Sequence, residues 1–234
     1  MFIGVTERGD PAHDFSWTEW VYDNKPAILI TKNPVKICEV LSKMSVRNVI
    51  VHANITGFGG SIIEPNVLKP DEAILGYWEL IKLLGTDRVV LRVDPVVPTV
   101  NGVITAKAIL HMTRSTRTRI SFIDLYDHVK ERFKLHSIDI QSENSESYLP
   151  WNDFHAPLSL RKKVWEELGK PEVCGEPGFE CLGCVSKIDC KILGVDPIDG
   201  NKGQRPYCAC VANKKELLIK RGQCPHGCLY CYWK

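Results

Sequence analysis

Residues 49–60 read VIVHANITGFGG, a short apolar run that leads directly into polar residues and glycines. Similar apolar runs recur at residues 2–5, 27–30, 89–93 and 120–123. Runs of this length with few polar members are typical of strands that are buried on both faces of a parallel sheet. Their recurrence therefore predicts a parallel sheet.

Amphipathic segments lie between these predicted strands. The clearest, residues 71–84, opens with an acidic turn after Pro70 and stops at Gly85, which are helix start and stop signals. The other predicted helices span residues 34–44, 105–116, 126–135 and 158–168. The alternation predicts an α/β fold with right-handed crossovers, built from five or six βα units as an open barrel or a doubly wound sheet.

Polar residues cluster just after each predicted strand. They are Thr6, Glu7, Arg8, Asp10, Lys32, Asn33, Asn54, Thr56, Arg92, Asp94, Ser121 and Asp124. A single aspartate there usually caps the next helix, but ligands of barrels and open parallel sheets bind at the carboxyl ends of the strands. Five polar strand ends therefore favour a binding site. The glycine-rich residues 57–64 are suited to a close approach of a ligand, although they lack a phosphate-loop pattern.

The cysteines are distributed unevenly along the 234 residues. Nine of the ten lie between Cys174 and Cys231, and the remaining one is Cys38. We therefore expect a barrel core over residues 1–170 and a cysteine-rich segment over residues 171–234. Cys38 lies in an amphipathic predicted helix and is expected to be a small buried apolar residue.

The bulk composition is that of a globular protein, with 44% hydrophobic and 25% charged residues. No apolar run approaches about 18 residues, so no membrane span is expected. The first residues do not resemble a secretory signal. These features predict a cytoplasmic protein, in which clustered thiols are more often metal ligands than disulfides.

The net charge of +2 is also unevenly distributed, because residues 201–234 carry seven basic residues and only one acidic residue. A basic tail that contains Tyr207, Tyr230, Tyr232 and Trp233 is suited to nucleic acid. Alternatively, its lysines solvate the tail and offset the charge of the thiolates.

The sharpest motif is Cys224-Pro225-His226-Gly227-Cys228-Leu229-Tyr230-Cys231, with the spacing C-x3-C-x2-C. Three thiolates on a short loop can hold three irons of a [4Fe–4S] cluster and leave the fourth iron open to a small ligand. A structural zinc site would need a fourth protein ligand, and His226 lies inside the loop.

With an aromatic residue just before its last cysteine, this motif resembles the signature of radical S-adenosylmethionine enzymes. In that family the methionyl group of the cofactor binds the open iron. An electron from the cluster then generates a 5′-deoxyadenosyl radical, which abstracts hydrogen from the substrate. Most members carry the motif near the amino terminus, whereas here it lies at the end of the chain.

The whole arrangement resembles one bacterial family of domains of unknown function that is noted for a C-terminal cysteine cluster of this kind. A looser likeness is to spore photoproduct lyase, which repairs thymine dimers. The residues that match the family of domains of unknown function are 6–11, 31–34, 55–57, 64–66, 92–95, 121–126, 203–205, 208–210 and 224–231. The resemblance implies a partial (β/α)6-type barrel whose iron–sulfur motif is supplied by the C-terminal segment.

The resemblance also implies the residues of the site. The catalytic cluster would be held by Cys224, Cys228 and Cys231. S-adenosylmethionine would contact strand-end residues, for which the candidates are Lys32, Asn54, Thr56, Glu64, Arg92, Asp94 and Asp124. Structural alternatives are helix capping by Asp94 or Asp124 and a buried ion pair between Arg92 and one of these aspartates. The reductant would be flavodoxin or ferredoxin, and the substrate a DNA base or nucleotide, a small molecule or an amino acid.

Six cysteines remain, namely Cys174, Cys181, Cys184, Cys190, Cys208 and Cys210. Four of them would complete a second, auxiliary cluster with no open iron. The family likeness favours Cys174, Cys208 and Cys210 with either Cys184 or Cys190, and the contiguous alternative is Cys174, Cys181, Cys184 and Cys190. A four-cysteine zinc knuckle is the structural alternative.

Two other functions are consistent with these motifs. One is a zinc-ribbon module that binds nucleic acid without catalysis, and the other is an iron–sulfur electron carrier. The catalytic hypothesis makes a geometric demand that the other two do not, because the tail must fold back over the carboxyl ends of the strands.

Overall fold

The computed structural model describes residues 1–45, 48–138, 153–200, 207–220, 222 and 224–233. Its centre is a seven-stranded parallel sheet that curls into a half-barrel with helices around it. In chain order the strands are β1 (Ile3–Val5), β2 (Ala27–Thr31), β3 (Val49–Asn54), β4 (Val89–Val96), β5 (Thr118–Phe122), β6 (Glu172–Val173) and β7 (Lys214–Glu216).

The order of the strands across the sheet is β6-β5-β4-β3-β2-β1-β7, and every neighbouring pair is parallel. Strands β1 to β6 follow one another without a reversal of direction across the sheet. A doubly wound sheet would reverse at a switch point. The predicted α/β class is therefore confirmed as a half-barrel, and the doubly wound alternative is wrong.

The helices described in the structure are α1 (Trp17–Tyr22), α2 (Pro34–Ser42), α3 (Pro70–Leu84), α4 (Val100–Thr113), α5 (Asp127–Leu135), α6 (Leu158–Glu167) and α7 (Lys187–Leu193), with a 3-10 turn at Thr86–Arg88. Helix α4 begins earlier than the predicted residue 105, because Thr99 caps it by accepting a hydrogen bond from Gly102 N at 3.2 Å. Within the described residues, no helix combines the length and the apolar character that crossing a membrane requires.

Successive side chains of each strand alternate between the two faces of the half-barrel. In β3, Val51 packs in the cluster that includes the outer helices, whereas Ile50 packs in the cluster on the concave side. Leu91 and Val90 of β4 divide in the same way. The concave face is covered by apolar residues of the C-terminal segment, namely Val185, Cys190, Leu193, Val195 and Val211.

The concave face becomes polar toward the carboxyl ends of the strands. In β3 the alternation that begins with Ile50 continues to His52 and Asn54, and in β4 it leads to Arg92 and Asp94. His52, Asn54 and Arg92 are buried, and Asp94 is half-buried. The half-barrel therefore holds an apolar filling at one end and polar side chains at the other.

A buried ion cluster fastens α7 to the sheet. Arg119 of β5 is fully buried, and its guanidinium lies 3.0 Å from Asp189 Oδ2 and 2.9 Å from Glu172 Oε2. It also donates to Cys184 O at 3.1 Å. Asp189 accepts two further hydrogen bonds from Ser186, both at 2.8 Å. Because buried charges are tolerated only when paired, this cluster sets where the segment around Cys184 lies.

The glycine-rich residues 57–64 approach their own chain rather than open space. A Cβ atom at Gly59 would lie 1.8 Å from Leu68 O, which is part of the backbone and cannot rotate away. We expect Gly59→Ala to lower the free energy of unfolding by about 1–3 kcal/mol through this overlap. Gly9→Ala is the control, because its Cβ would meet a side-chain methyl of Leu218 at 3.1 Å. Urea denaturation of both variants measures the difference, and equal losses would contradict the prediction.

Candidate metal centre

The three-cysteine loop, residues 224–231, lies against the segment that follows β3. Leu229 N donates to Ile63 O at 3.0 Å, and Asn66 N donates to His226 O at 3.2 Å. Asn66 Nδ2 also donates to Pro225 O at 2.9 Å. These contacts bring the loop to the carboxyl end of the sheet, where the strand-end polar residues lie.

His226 is the buried anchor of the loop. Its Nε2 lies 2.8 Å from Asp10 Oδ2, and its Nδ1 lies 3.1 Å from Asn66 O. Asp10, which follows β1, also accepts hydrogen bonds from Thr31 Oγ1 and Lys32 N, each at 2.7 Å. Burial opposes ionisation of Asp10, but His226 and the backbone donors outweigh it and lower the pKa of this carboxyl. Both ring nitrogens of His226 therefore already contact oxygen atoms of the protein.

Glu64 joins the loop to two strand ends. It is 1% exposed and accepts hydrogen bonds from Lys32 Nζ at 2.8 Å and from Thr56 Oγ1 at 2.7 Å. The hydroxyl of Tyr230 donates to the same carboxylate. Burial opposes the charge of Glu64, but Lys32 and these donors lower its pKa overall. Three predicted cofactor contacts, Lys32, Thr56 and Glu64, thus form one network around a loop residue.

The three thiols of the loop interact electrostatically and belong to no disulfide, but their sulfur atoms do not all lie within 4.8 Å of one another. Burial raises the pKa of the Cys224 thiol to about 12. Burial also raises the pKa of Cys228 to about 11, although Lys32 acts in the opposite direction. Metal-free, both thiols are protonated at neutral pH, so a metal must displace their protons to bind. The charge of Lys32 favours that exchange at Cys228.

Helix α5 holds the end of the loop. Arg132 Nη1 donates to Cys231 O at 2.9 Å, and Arg132 Nη2 donates to Trp233 O at 2.9 Å. His128 Nε2 lies 3.1 Å from Cys231 O. The loop is thus fixed at both ends, by the β1 and β3 sides through His226 and by α5 through Cys231.

The other four predicted cofactor contacts form two separate groups. Arg92 pairs with Asp94, and Asn54 Nδ2 donates to Asp94 O at 2.8 Å. Asp124 Oδ1 lies 2.8 Å from His155 Nδ1. The ion pair anticipated as a structural role for Arg92 is therefore present. It leaves Arg92 Nε and Nη1 buried without a hydrogen-bond partner among the residues described here.

Four of the remaining cysteines form a connected group, and Cys181 and Cys190 lie outside it. Cys184 Sγ lies 3.2 Å from Cys210 Sγ, and hydrogen bonds extend from this pair to Cys174 and to Cys208. Cys190 is buried in the apolar filling, whereas Cys181 contacts the backbone of residue 176 and interacts electrostatically with Cys174. Of the contiguous quartet considered from sequence, Cys190 is thus the member that these contacts do not connect to the others.

Glu64→Gln tests whether this network fixes the loop. The substitution keeps the shape but removes the charge that Lys32 faces, so we expect a loss of about 1.5–3 kcal/mol in the free energy of unfolding of the metal-free protein. The matched control is Glu39→Gln, whose carboxylate pairs with Lys36 and Lys43 on the surface and should have little effect. Chemical denaturation under reducing conditions measures both. A change at Glu64 no larger than at Glu39 would show that the network does not stabilise the fold.

Some functional candidates carried no signal in the sequence beyond their polarity. Asp10 was one of many strand-end residues, and nothing nearby in the chain connects it with His226. Arg132 and His128 belong to an ordinary amphipathic helix. Their roles come from contacts that span roughly 100 to 220 residues of chain.

The fold and these contacts define a class: an α/β half-barrel protein whose cysteine-rich C-terminal segment brings candidate metal ligands to the carboxyl end of the sheet. Residues 21–233 match the family described as Domain of unknown function (DUF1848), and the chain belongs to that family. No curated protein and no solved structure matches it.

Proposed function

We propose that this protein is a radical S-adenosylmethionine enzyme in which Cys224, Cys228 and Cys231 hold a [4Fe–4S] cluster. When bound, the cluster would supply the electron, received from flavodoxin or ferredoxin, that cleaves S-adenosylmethionine into methionine and a 5′-deoxyadenosyl radical. The radical would then take a hydrogen atom from the substrate.

The observation that carries this proposal is that both ring nitrogens of His226 have contacts within the protein. A closed zinc site in this loop would need a fourth ligand, and His226 is the obvious candidate within it. Its two ring nitrogens instead contact Asp10 and Asn66. Three thiols without a fourth ligand in the loop suit a cluster that keeps one iron open for a small molecule.

The position of the loop gives further support. Ligands of β/α barrels bind at the carboxyl ends of the strands, and the loop contacts residues that follow β1, β2 and β3. Asp10 and Glu64 would hold the loop in place through His226 and Tyr230. Lys32, which interacts with Cys228 as well as with Glu64 and Asp94, would offset part of the negative charge of the thiolates.

These contacts divide the predicted cofactor-binding residues by role. Lys32, Thr56 and Glu64 would support the cysteine loop. Contacts to S-adenosylmethionine would then come mainly from the concave-face residues Asn54 and Asp94 and from Asp124 on the side of α5. This division narrows the sites at which a substitution should change the affinity for S-adenosylmethionine.

A nucleic-acid substrate remains a prediction that rests on the looser likeness to thymine-dimer repair. Four basic residues of the tail, Lys202, Arg205, Arg221 and Lys234, lie outside the described residues. Lys214 is paired with Glu7 at 2.6 Å. Comparison of oligonucleotide binding at low and high salt tests this substrate class, because phosphate contacts weaken steeply with salt.

The enzymatic proposal is tested by anaerobic purification followed by iron, sulfide and zinc analysis. We expect a brown protein that releases 5′-deoxyadenosine when dithionite and S-adenosylmethionine are added. A colourless protein that holds only zinc would favour the nucleic-acid-binding module and overturn the proposal. An intact cluster without any release would favour the electron carrier.

A further inference from the structure

We propose that Cys174, Cys184, Cys208 and Cys210 form a second metal site that holds a closed [4Fe–4S] cluster inside the half-barrel. Residues from three distant parts of the chain build it, because Cys174 follows β6, Cys184 precedes α7, and Cys208 and Cys210 precede β7. The site is distinct from the loop at residues 224–231 and does not depend on it.

Contacts among the sulfur atoms define the membership of the site. Cys184 is the centre: it lies 3.2 Å from Cys210 and is hydrogen-bonded to Cys174, while Cys208 is hydrogen-bonded to Cys210. Burial and the neighbouring thiols raise the pKa values of Cys174, Cys184 and Cys210. Two buried thiols, Cys174 and Cys210, and two half-buried thiols, Cys184 and Cys208, therefore converge from distant parts of the chain, as the ligands of a closed metal centre do.

Arg92 and Lys214 lie on two sides of the group, each also paired with a carboxylate, and Glu7 Oε1 lies 2.8 Å from Cys184 Sγ. Arg92 interacts with Cys174 and Cys184, and its Nε and Nη1 groups are buried with no hydrogen-bond partner among the described residues. Buried donors of this kind destabilise the fold unless an acceptor is present. Lys214 interacts with Cys184 and Cys210 from the β7 side. A cluster with four thiolates and four sulfides is an anion with acceptors for both cations.

Two of the sulfur atoms are closer together than either a cluster or a single zinc ion requires. Zinc–sulfur bonds of about 2.3 Å require four sulfurs about 3.8 Å apart, and the ligand sulfurs of a [4Fe–4S] cubane lie farther apart still. Cys184 Sγ and Cys210 Sγ are 3.2 Å apart, and among the described residues the group of three or more ligand atoms that all lie within 4.8 Å of one another is Glu7, Cys184 and Cys210. Binding of either metal would therefore move these thiols apart, and metal analysis distinguishes the cluster from zinc.

The first test uses the triple variant Cys224→Ala/Cys228→Ala/Cys231→Ala, which lacks the loop ligands. Anaerobically prepared, it should still hold about four irons and four sulfides per chain, the content of one cubane. A protein with one zinc and no iron, or with neither metal, would overturn the second site. Because the three loop thiols are absent from this variant, failure of the proposed enzymatic function cannot produce the same result.

The second test assigns the ligands and needs no loop variant. Cys208→Ser/Cys210→Ser should lose about four irons relative to the wild type. The matched control is Cys181→Ser/Cys190→Ser, which also replaces one half-buried and one buried thiol but should retain the iron. Circular dichroism verifies that both proteins fold. Retention of iron by the first pair, or an equal loss from both pairs, would contradict the assignment.

Discussion

Serine in place of Cys228 is expected to abolish the release of 5′-deoxyadenosine by the reduced, iron-loaded protein. The loop offers three thiols, so the loss of one leaves two ligands where the open cluster needs three. Cys228 is buried, and its thiol interacts with Lys32, Glu64 and Tyr230. The substitution is nearly isosteric, so the fold should survive while the activity falls to the level without enzyme.

Iron analysis and product chromatography together distinguish the possible causes of that loss. The Cys228→Ser protein should keep about four irons, which belong to the second site, and lose the rest. Cys38→Ser is the control, because Cys38 lies half-buried in α2 and is not part of either group. Product release at the wild-type rate from the Cys228→Ser protein would show that the loop is not the catalytic ligand set.

The second large effect is expected at Asp189, whose side chain is fully buried between two arginines. Asp189→Asn leaves Arg117 without its carboxylate partner and Arg119 with only Glu172, and we expect the free energy of unfolding to fall by about 3–5 kcal/mol. The penalty is large because water cannot reach Arg119 to compensate. Denaturant titration of the metal-free protein measures it.

A surface ion pair serves as the control for this prediction. Glu167 pairs with Lys107 at 2.8 Å between α6 and α4, and Glu167→Gln should change stability by no more than about 0.5–1 kcal/mol. The double variant Asp189→Leu/Arg119→Met removes both buried charges and should recover part of the loss. A single-variant loss no larger than that of Glu167→Gln would show that the cluster is not what holds α7 to the sheet.

The buried ion cluster around Asp189 and the second metal site are connected through Cys184. Arg119 donates to the carbonyl of this residue, and Cys184 is the central thiol of the second site. Asp189→Asn should therefore also lower the iron content of the second site, whereas Cys228→Ser should not.

The apolar pattern of the sequence predicts most of the layered part of the fold. The five strands at residues 2–5, 27–30, 49–53, 89–93 and 120–123 correspond to β1 to β5, because buried parallel strands are short continuous apolar runs. Strands β6 and β7 were missed, since they have two and three residues and β7 reads Lys-Lys-Glu. Such edge strands are defined by backbone pairing with a neighbour and have no apolar pattern of their own.

The cysteines illustrate the same difference at the level of the site. Local spacing singled out residues 224–231 because all three thiols lie on one short loop. The second group could not be assigned by spacing, and of the contiguous quartet considered from sequence the described contacts connect Cys174, Cys181 and Cys184 but not Cys190. Cys190 is drawn into the apolar filling by α7, while Cys208 and Cys210 are brought to Cys184 by the pairing of β7 with β1.

The sequence by itself thus determined the α/β class, the strand-end polar residues and the three-cysteine motif, because each depends on periodicity or on neighbours along the chain. Only the tertiary structure decided that Asp10 contacts His226 and that Glu64 joins Lys32 to Tyr230. It also decided that Cys184, and not Cys190, belongs to the second group of cysteines. Those contacts depend on curling of the sheet and on the return of the C-terminal segment. Both follow from the summed burial of many distant side chains, which no local pattern records.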